Sequence, residues 1–405
     1  PQLRPLDHAN NSDWIILAHL RQYPKAFVRI SSLVVRSILC LALLAGLLAA
    51  QDPYDRKKKR KPKKEEPEVT QTLEVLPDPP NTITADPQRL AFAVSPLSAK
   101  GLLSQQTRDA LKALRAATRG GTLVRIRAFV AGSGDLRRVP SIVSEEFSKS
   151  RQPLPVVNVI QAGALPLEGA QVVLEGAYLE KRPMNPQGLA FLSGQLVRAT
   201  NEKPRPLAEV AAESIANLTK AATAAGVTGD AMLRATCFVS VLENPAELQA
   251  QLAARFPKAA LNVLQLQRIT GPSLVECGGV GRLAAPPGRP VEYLNPEGLE
   301  KSANYTQVVK VNVPQIIFTA TQQSFAADPA GMRLALERLK RMLDAAKTGY
   351  GEVVMAHIYA LSNRAAEEFR AVRFDFYDRA KPPGSTLLNF EGLTSNDAAL
   401  GIDVI

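Results

Sequence analysis

The stretch Leu334 to Lys347 (LALERLKRMLDAAK), followed by Val353 to Leu361 (VVMAHIYAL), passes from an apolar residue every third or fourth position to a continuous apolar run. That change of period predicts a helix and then a strand. The same succession occurs twice upstream. Leu103 to Ala117 (LSQQTRDALKALRAA) puts Leu103, Ala110, Leu111 and Leu114 on one helical face, and Leu123 to Val130 (LVRIRAFV) then alternates as a strand. Leu207 to Ala225 turns Ile215, Leu218 and Ala222 inward ahead of Leu233 to Val241 (LRATCFVSV).

Working outward, each pair is followed by a second helix: Val139 to Phe147, Pro245 to Phe256 and Ala365 to Tyr377. Extended segments come next: Pro155 to Gln161 with Ala170 to Leu179, Ala260 to Leu266 with Ser273 to Val280, and Thr386 to Phe390 with Ala398 to Ile405. The repeat is roughly 110–120 residues long. Phe129, Phe238 and Tyr359 take the same place in the three central strands, a core position before a ligand platform.

One strand face and one helix layer make a two-layer α+β domain whose open sheet face needs cover. Three tandem copies can cover one another as an intramolecular pseudo-trimer, with sheets inside and helices outside. Heterologous contacts then close a ring within one monomeric chain. At 405 residues and 46% hydrophobic content the chain is long enough for several cores. The expected division is a leader at 1–50, a charged linker at 51–80, and copies at 81–180, 181–285 and 286–405.

The leader carries Ser37 to Ala50 (SILCLALLAGLLAA), a short apolar run after Arg36 that ends in small residues. This has the pattern of a signal peptide cleaved near Ala50, which implies an exported, periplasmic or secreted protein with no stable membrane span afterwards. An uncleaved N-terminal anchor is the alternative. Arg56 to Lys64 (RKKKRKPKK), with Glu65, Glu66 and Glu68 behind it, reads as a solvated linker, the other reading being attachment to phosphate-rich surfaces. The net charge of +11 therefore says little about the folded part. Beyond the leader only Cys237 and Cys277 remain, either buried apolar residues or one disulfide.

Tyr305 to Val311 (YTQVVKV), Ile316 to Gln323 (IIFTATQQ) and Phe374 to Tyr377 resemble the Rid (reactive intermediate deaminase, YjgF-like) family. Leu192 to Gln195 (LSGQ) resembles its first-strand Ser-Gly-Gln, while Leu274 to Glu276 (LVE) and Gly169 to Glu175 (GAQVVLE) resemble its last strand. The resemblance spans about 320 residues and rests on recurrence in one order. It implies a chorismate-mutase-like fold, a small-molecule cleft at each boundary between copies, and hydrolysis of enamines or 2-imino acids to 2-oxo acids and ammonia. Neither a metal nor an organic cofactor is implied. In that chemistry an arginine grips the substrate carboxylate and a last-strand carboxylate handles water.

Matching residue by residue places Glu175 and Asp403 at the catalytic carboxylate, with Gly278 in the second copy and Glu276 two positions earlier. Tyr305 matches the family's tyrosine and Gly194 its glycine. Aligned on Asn158, Asn262 and Asn389, the arginine position holds Leu154, Lys258 and Ser385, so the fork is missing. Lys258 can act as a point charge toward a carboxylate or be a solvated surface lysine. Two functions stay open: a deaminase or related hydrolase working at one or two of the three inter-copy clefts, one of them a composite of Lys258 with a carboxylate or Tyr305 from a neighbouring copy, or a noncatalytic binding or structural module. Endoribonuclease-like nucleic-acid binding ranks third, because aromatic content is 5% and the basic run has no interleaved rings to stack bases. Past the leader the sequence has a single histidine, His357, which excludes a His-rich metal site. The GGVG run of Gly278 to Gly281 reads as close strand packing, not a phosphate loop.

Overall fold

The computed structural model describes residues 75–132 and 134–405. The expected signal peptide, the RKKKRKPKK run and the linker up to residue 74 lie outside the described residues. A short strand β1 (Thr82–Ala85) leads into β2 (Leu90–Val94), helix α1 (Leu103–Ala117), β3 (Thr122–Ala131), α2 (Arg138–Lys149), β4 (Val156–Ala162) and β5 (Val172–Leu179). The next run is β6 (Leu189–Arg198), α3 (Leu207–Ala224), β7 (Met232–Val239), α4 (Pro245–Arg255), β8 (Ala260–Gln265) and β9 (Leu274–Arg282). After β10 (Val291–Leu294), β11 (Val308–Val311), β12 (Ile316–Thr319) and β13 (Gln322–Ser324) come α5 (Pro329–Ala345), β14 (Met355–Ala360), α6 (Asn363–Val372), β15 (Gly384–Asn389), β16 (Gly392–Leu393) and β17 (Leu400–Val404).

Local chemistry sets the helix starts. Asp328 caps α5 by accepting from the Gly331 N–H at 2.7 Å, with Pro329 in the first turn, and Ser362 caps α6 through the Ala365 N–H. The apolar stripe of α1 is buried at Leu103, Ala110, Leu111 and Leu114. Each helix pair shares an apolar core with the outer face of one sheet.

The fold is mixed α+β with several sheets, ordered β16-β4-β3-β5-β2, β10-β11-β6-β9-β7-β8, β13-β17-β14-β15 and β1-β12. In each of the three larger sheets a central strand runs parallel to the strand that follows the second helix, because the helix provides the crossover that parallel pairing needs. The last strand pairs antiparallel on the other side. Inner sheet faces meet in two apolar layers. One holds Phe129, Phe238, Tyr359 and Phe390, with ring centroids 5.4–6.3 Å apart. The other holds Phe191, Val309, Phe318 and Met355.

Sheet membership departs from the linear division. β11, placed by sequence at the start of the third copy, is hydrogen-bonded to β6 (Val309 opposite Phe191), and β1 is paired with β12 (Ile83 opposite Phe318). Unpaired strand edges explain both: β6 and β12 would otherwise leave backbone groups open, and chain from elsewhere satisfies them. The alignment on Asn389 also shifts. Asn158 lies opposite Arg127 and Asn262 opposite Thr236, but it is Thr386 that faces His357, while Asn389 faces Ala360 and bonds Asn363. With that register Pro382 takes the place assigned to Ser385, and the position still has no arginine. Among the described residues no helix is long and apolar enough to cross a membrane.

Cys237 and Cys277 lie directly opposite on β7 and β9, with Cα atoms 4.1 Å apart, and they are disulfide-bonded. The bridge closes a loop with a sequence separation of 40, so its reduction frees considerable chain entropy in the unfolded state. Reducing it, or replacing both cysteines by alanine, is expected to lower unfolding free energy by about 3–4 kcal/mol. Urea midpoints of the oxidised and reduced protein check this.

Candidate functional site

Between the two inner apolar layers lies a charged one. Alternation along β3 turns Arg125, Arg127 and Phe129 to the same inner side, and the register opposes Arg127 to Glu175 of β5. Arg127 donates from Nε (2.9 Å) and Nη2 (2.5 Å) to Glu175 Oε2, while Thr236 Oγ1 and Asn262 Nδ2 each donate to Oε1 at 2.7 Å. Burial pushes the Glu175 carboxyl up. Arg127, Arg234 and the two hydrogen bonds outweigh that and hold it at about 2.

Asp403 is the centre of the second cluster. Its Oδ1 takes Arg125 Nη2 at 2.5 Å and lies 2.9 Å from His357 Nδ1, and its Oδ2 accepts from Tyr359 Oη at 2.8 Å. Burial again opposes ionisation, and Arg125 and His357 reverse it, so this carboxyl sits far below the usual range. Burial lowers His357 to about 3 against the pull of Asp403. The ring is thus neutral, its Nδ1–H donates to Asp403, and its Nε2 is sealed without a partner. Both carboxylates are ionised, matched to an arginine, and at most 4% exposed. Neither presents a basic oxygen to a ligand at neutral pH.

A third buried acid differs from both in having no arginine opposite it. Glu276 of β9 is 4% exposed, its sealed Oε1 has no hydrogen-bond partner among the described residues, and burial alone pushes its carboxyl up to about 8. Gly194 makes this possible, because a Cβ there would occupy the space of the Glu276 carboxyl. β6 bulges between Leu192 and Gln195 at this point. The released Ser193 donates to the Thr306 carbonyl at 2.6 Å and accepts from the Ser385 N–H at 2.9 Å; the Ser385 hydroxyl is itself unpartnered. Gln195 donates to Gln307 Oε1 at 2.6 Å. Tyr305 is half-buried beside them, its phenol pushed up to about 12 by burial and then by Glu276 and Glu300.

The structure therefore brings Gly194 and Tyr305 to one locus around Glu276, and places Glu175 and Asp403 elsewhere, in the inner charged layer. Lys258 joins neither. It is exposed and paired with Asp230 at 2.8 Å. Sequence reasoning looked for an arginine ahead of the penultimate strand and missed the three on the central strands, Arg125, Arg127 and Arg234. The available signal was the spacing of Arg125, Arg127 and Phe129, which shares one strand face.

No protein-family model matches the chain, and no curated protein matches it. Solved structures of the YjgF/Rid type match domain-sized stretches. A protein of unknown function of the conserved Rid protein family from Yersinia pestis is 20% identical over 29% of this chain and 97% of its own, with a TM-score of 0.26. A member of the YjgF protein family from Neisseria meningitidis is 16% identical over 28% and 91%, with a TM-score of 0.21. A chorismatase is 10% identical over 80% and 98%, with a TM-score of 0.23. Likenesses this distant carry no argument about chemistry.

The raised Glu276 has a measurable consequence. The unfolded chain releases this proton near pH 4.5 and the folded chain holds it to about pH 8, so stability falls as pH rises through that window. The loss is on the order of 2–3 kcal/mol by pH 7. Denaturant unfolding from pH 5 to pH 8 should show this slope, and Glu276→Gln should flatten it.

Proposed function

We propose that this protein is a single-chain pseudo-trimer of Rid-type copies in which the family's catalytic carboxylates have become structural ion pairs, leaving a binding module and not a deaminase. The observation that carries this reading is the engagement of Glu175: Arg127, Thr236 and Asn262 direct four hydrogen bonds at its two oxygens, and Asp403 is likewise engaged by Arg125, His357 and Tyr359. Support for three copies at 81–180, 181–285 and 286–405 comes from strand register. Arg127, Thr236 and His357 hold equivalent places in the central strands, each flanked by one of Glu175, Gly278 and Asp403. A ring closed within one chain leaves no open heterologous contact for a further copy, which favours a monomer.

The binding locus on this reading is Gly194, Glu276 and Tyr305. Among the described residues no cation acts on the Glu276 carboxyl, so a neutral hydrogen-bonding ligand suits it better than a free carboxylate. The second reading keeps deaminase activity and is favoured by Glu276 itself, whose proton is exchangeable near neutrality. Ammonia release from freshly generated 2-imino acids, measured on the full chain beside Glu276→Gln and Glu175→Gln, separates the two. The expected result is no rate above the spontaneous background. A rate abolished by Glu276→Gln would establish catalysis at that carboxyl; one abolished by Glu175→Gln alone, in a protein still folded, would restore the family role.

We also propose that the protein is exported. The Ser37 to Ala50 run and the buried Cys237–Cys277 disulfide support this, since such bonds persist in oxidising compartments. Cell fractionation after expression of the full-length gene should find the processed product outside the cytoplasm with its new N-terminus near Gln51. Retention in the cytoplasm with reduced cysteines would overturn the proposal.

A further inference from the structure

On the outer side of the first large sheet, the C-terminal ends of α1 and α2 and the turn into β3 line an open cavity of about 530 Å³. Small-molecule sites are of this size, roughly 300–1,000 Å³. The floor is apolar, made by Leu111 of α1, Leu123 of β3 and Phe147 of α2, all buried. Around it stand three cations and two carboxylates: Arg108, Lys112 and Arg115 of α1, with Asp109 and Glu146. Spacings of four and three residues put the cations on one helix face.

Pairing within the protein leaves two of the cations over. Arg108 donates to Glu145 at 2.6 Å, Glu146 lies 3.0 Å from Lys149 and 3.6 Å from Arg108, and Asp109 accepts from Gln105 at 3.0 Å. Lys112 and Arg115 have no ion-pair partner among the described residues. Arg115 is half-buried, with its guanidinium 5.5 Å from the centre of the Phe147 ring, so its N–H donors sit beside the apolar floor. Lys181 adds a further cation at the rim, next to Gly120. Two helices end here, and open C-terminal carbonyls would favour a cation. Those carbonyls are taken: Leu114 and Ala116 accept from the N–H groups of Thr118 and Arg119, and Phe147 accepts from that of Gln152. What the cavity offers is positive charge and N–H donors above an apolar floor.

We propose that this cavity binds a small organic anion, its apolar body resting on Leu111, Leu123 and Phe147 and its carboxylate or phosphate group held by Arg115 and Lys112. The planar fork of arginine takes either group through paired hydrogen bonds, and lysine adds a point charge. Inorganic phosphate lacks the apolar body and a neutral aromatic lacks the charge, so the site selects molecules that have both. The cavity shares no residue with the Gly194–Glu276–Tyr305 locus and does not depend on the function proposed for it.

Calorimetric titration of the full chain with phenyl phosphate and with benzoate, at fixed ionic strength and neutral pH, tests this and separates the two head groups. At least one of them should bind at a single site, about tenfold tighter than phenol and than inorganic phosphate. Arg115→Gln should weaken that binding by about tenfold. Ala116→Trp, which fills the cavity without changing its charge, should remove it. Crystals soaked with the 4-bromo derivative of the better ligand should show the bromine against Phe147. Phenol bound as tightly would reduce the cavity to an apolar pocket, and inorganic phosphate bound as tightly would reduce it to a basic surface. Affinity unchanged in both variants would put the ligand elsewhere. Each of these results, or no binding of either anion, overturns the proposal. Should a variant fail to fold, the titrations of the unsubstituted protein and the bromine position still decide the matter.

Discussion

The Glu175 carboxylate accepts four hydrogen bonds from three strands: two from Arg127 on β3, one from Thr236 on β7 and one from Asn262 on β8. Burying a charge is costly, and the cost is offset only when every lone pair is met with good geometry. The first large sheet can therefore face the second in few ways. A shifted interface would leave an ion in an apolar layer, and removing one partner of such a pair costs about 3–5 kcal/mol. Asp403 makes the same demand on the first and third sheets through Arg125. Apolar packing at the aromatic layer provides attraction without direction, while the charged layer supplies register.

The helices and central strands were legible because their periods are local properties. LSQQTRDALKALRAA and LVRIRAFV declare a helix and a strand without reference to anything distant, and the observed bounds of α1 and β3 agree within a residue or two. The pairings of β11 with β6 and of β1 with β12 were not legible, since an edge strand carries no mark of which distant segment will cover it. The cysteine pair lay between: both strands were recognisable, but only register puts Cys237 opposite Cys277.

The candidate site divides along the same line. Sequence identified Glu175 and Asp403 as acids on the last strands. It could not reveal that arginines two strand positions apart would neutralise them, because that depends on how three sheets face one another. Glu276 was noted only as a neighbour of the expected position. Its distinguishing property is the lack of a partner among the described residues, and an absence has no sequence pattern. Gly194 carried a usable signal, a glycine inside a strand, whose reason is the space it cedes to a carboxylate.

The pairing of Thr82–Ala85 with Ile316–Thr319 also has a consequence for biogenesis. The first strand of the described residues finds its partner only when the chain is roughly 230 residues longer. At synthesis rates of about 5–20 residues per second that delay is on the order of ten to fifty seconds. Contacts of such long sequence separation form late and slowly. The helix–sheet units can assemble as they emerge, but the clasp that joins the beginning of the described chain to its final third must wait. During that interval β1 is an unpaired edge, and whatever shields it from other nascent chains governs the yield of folded protein.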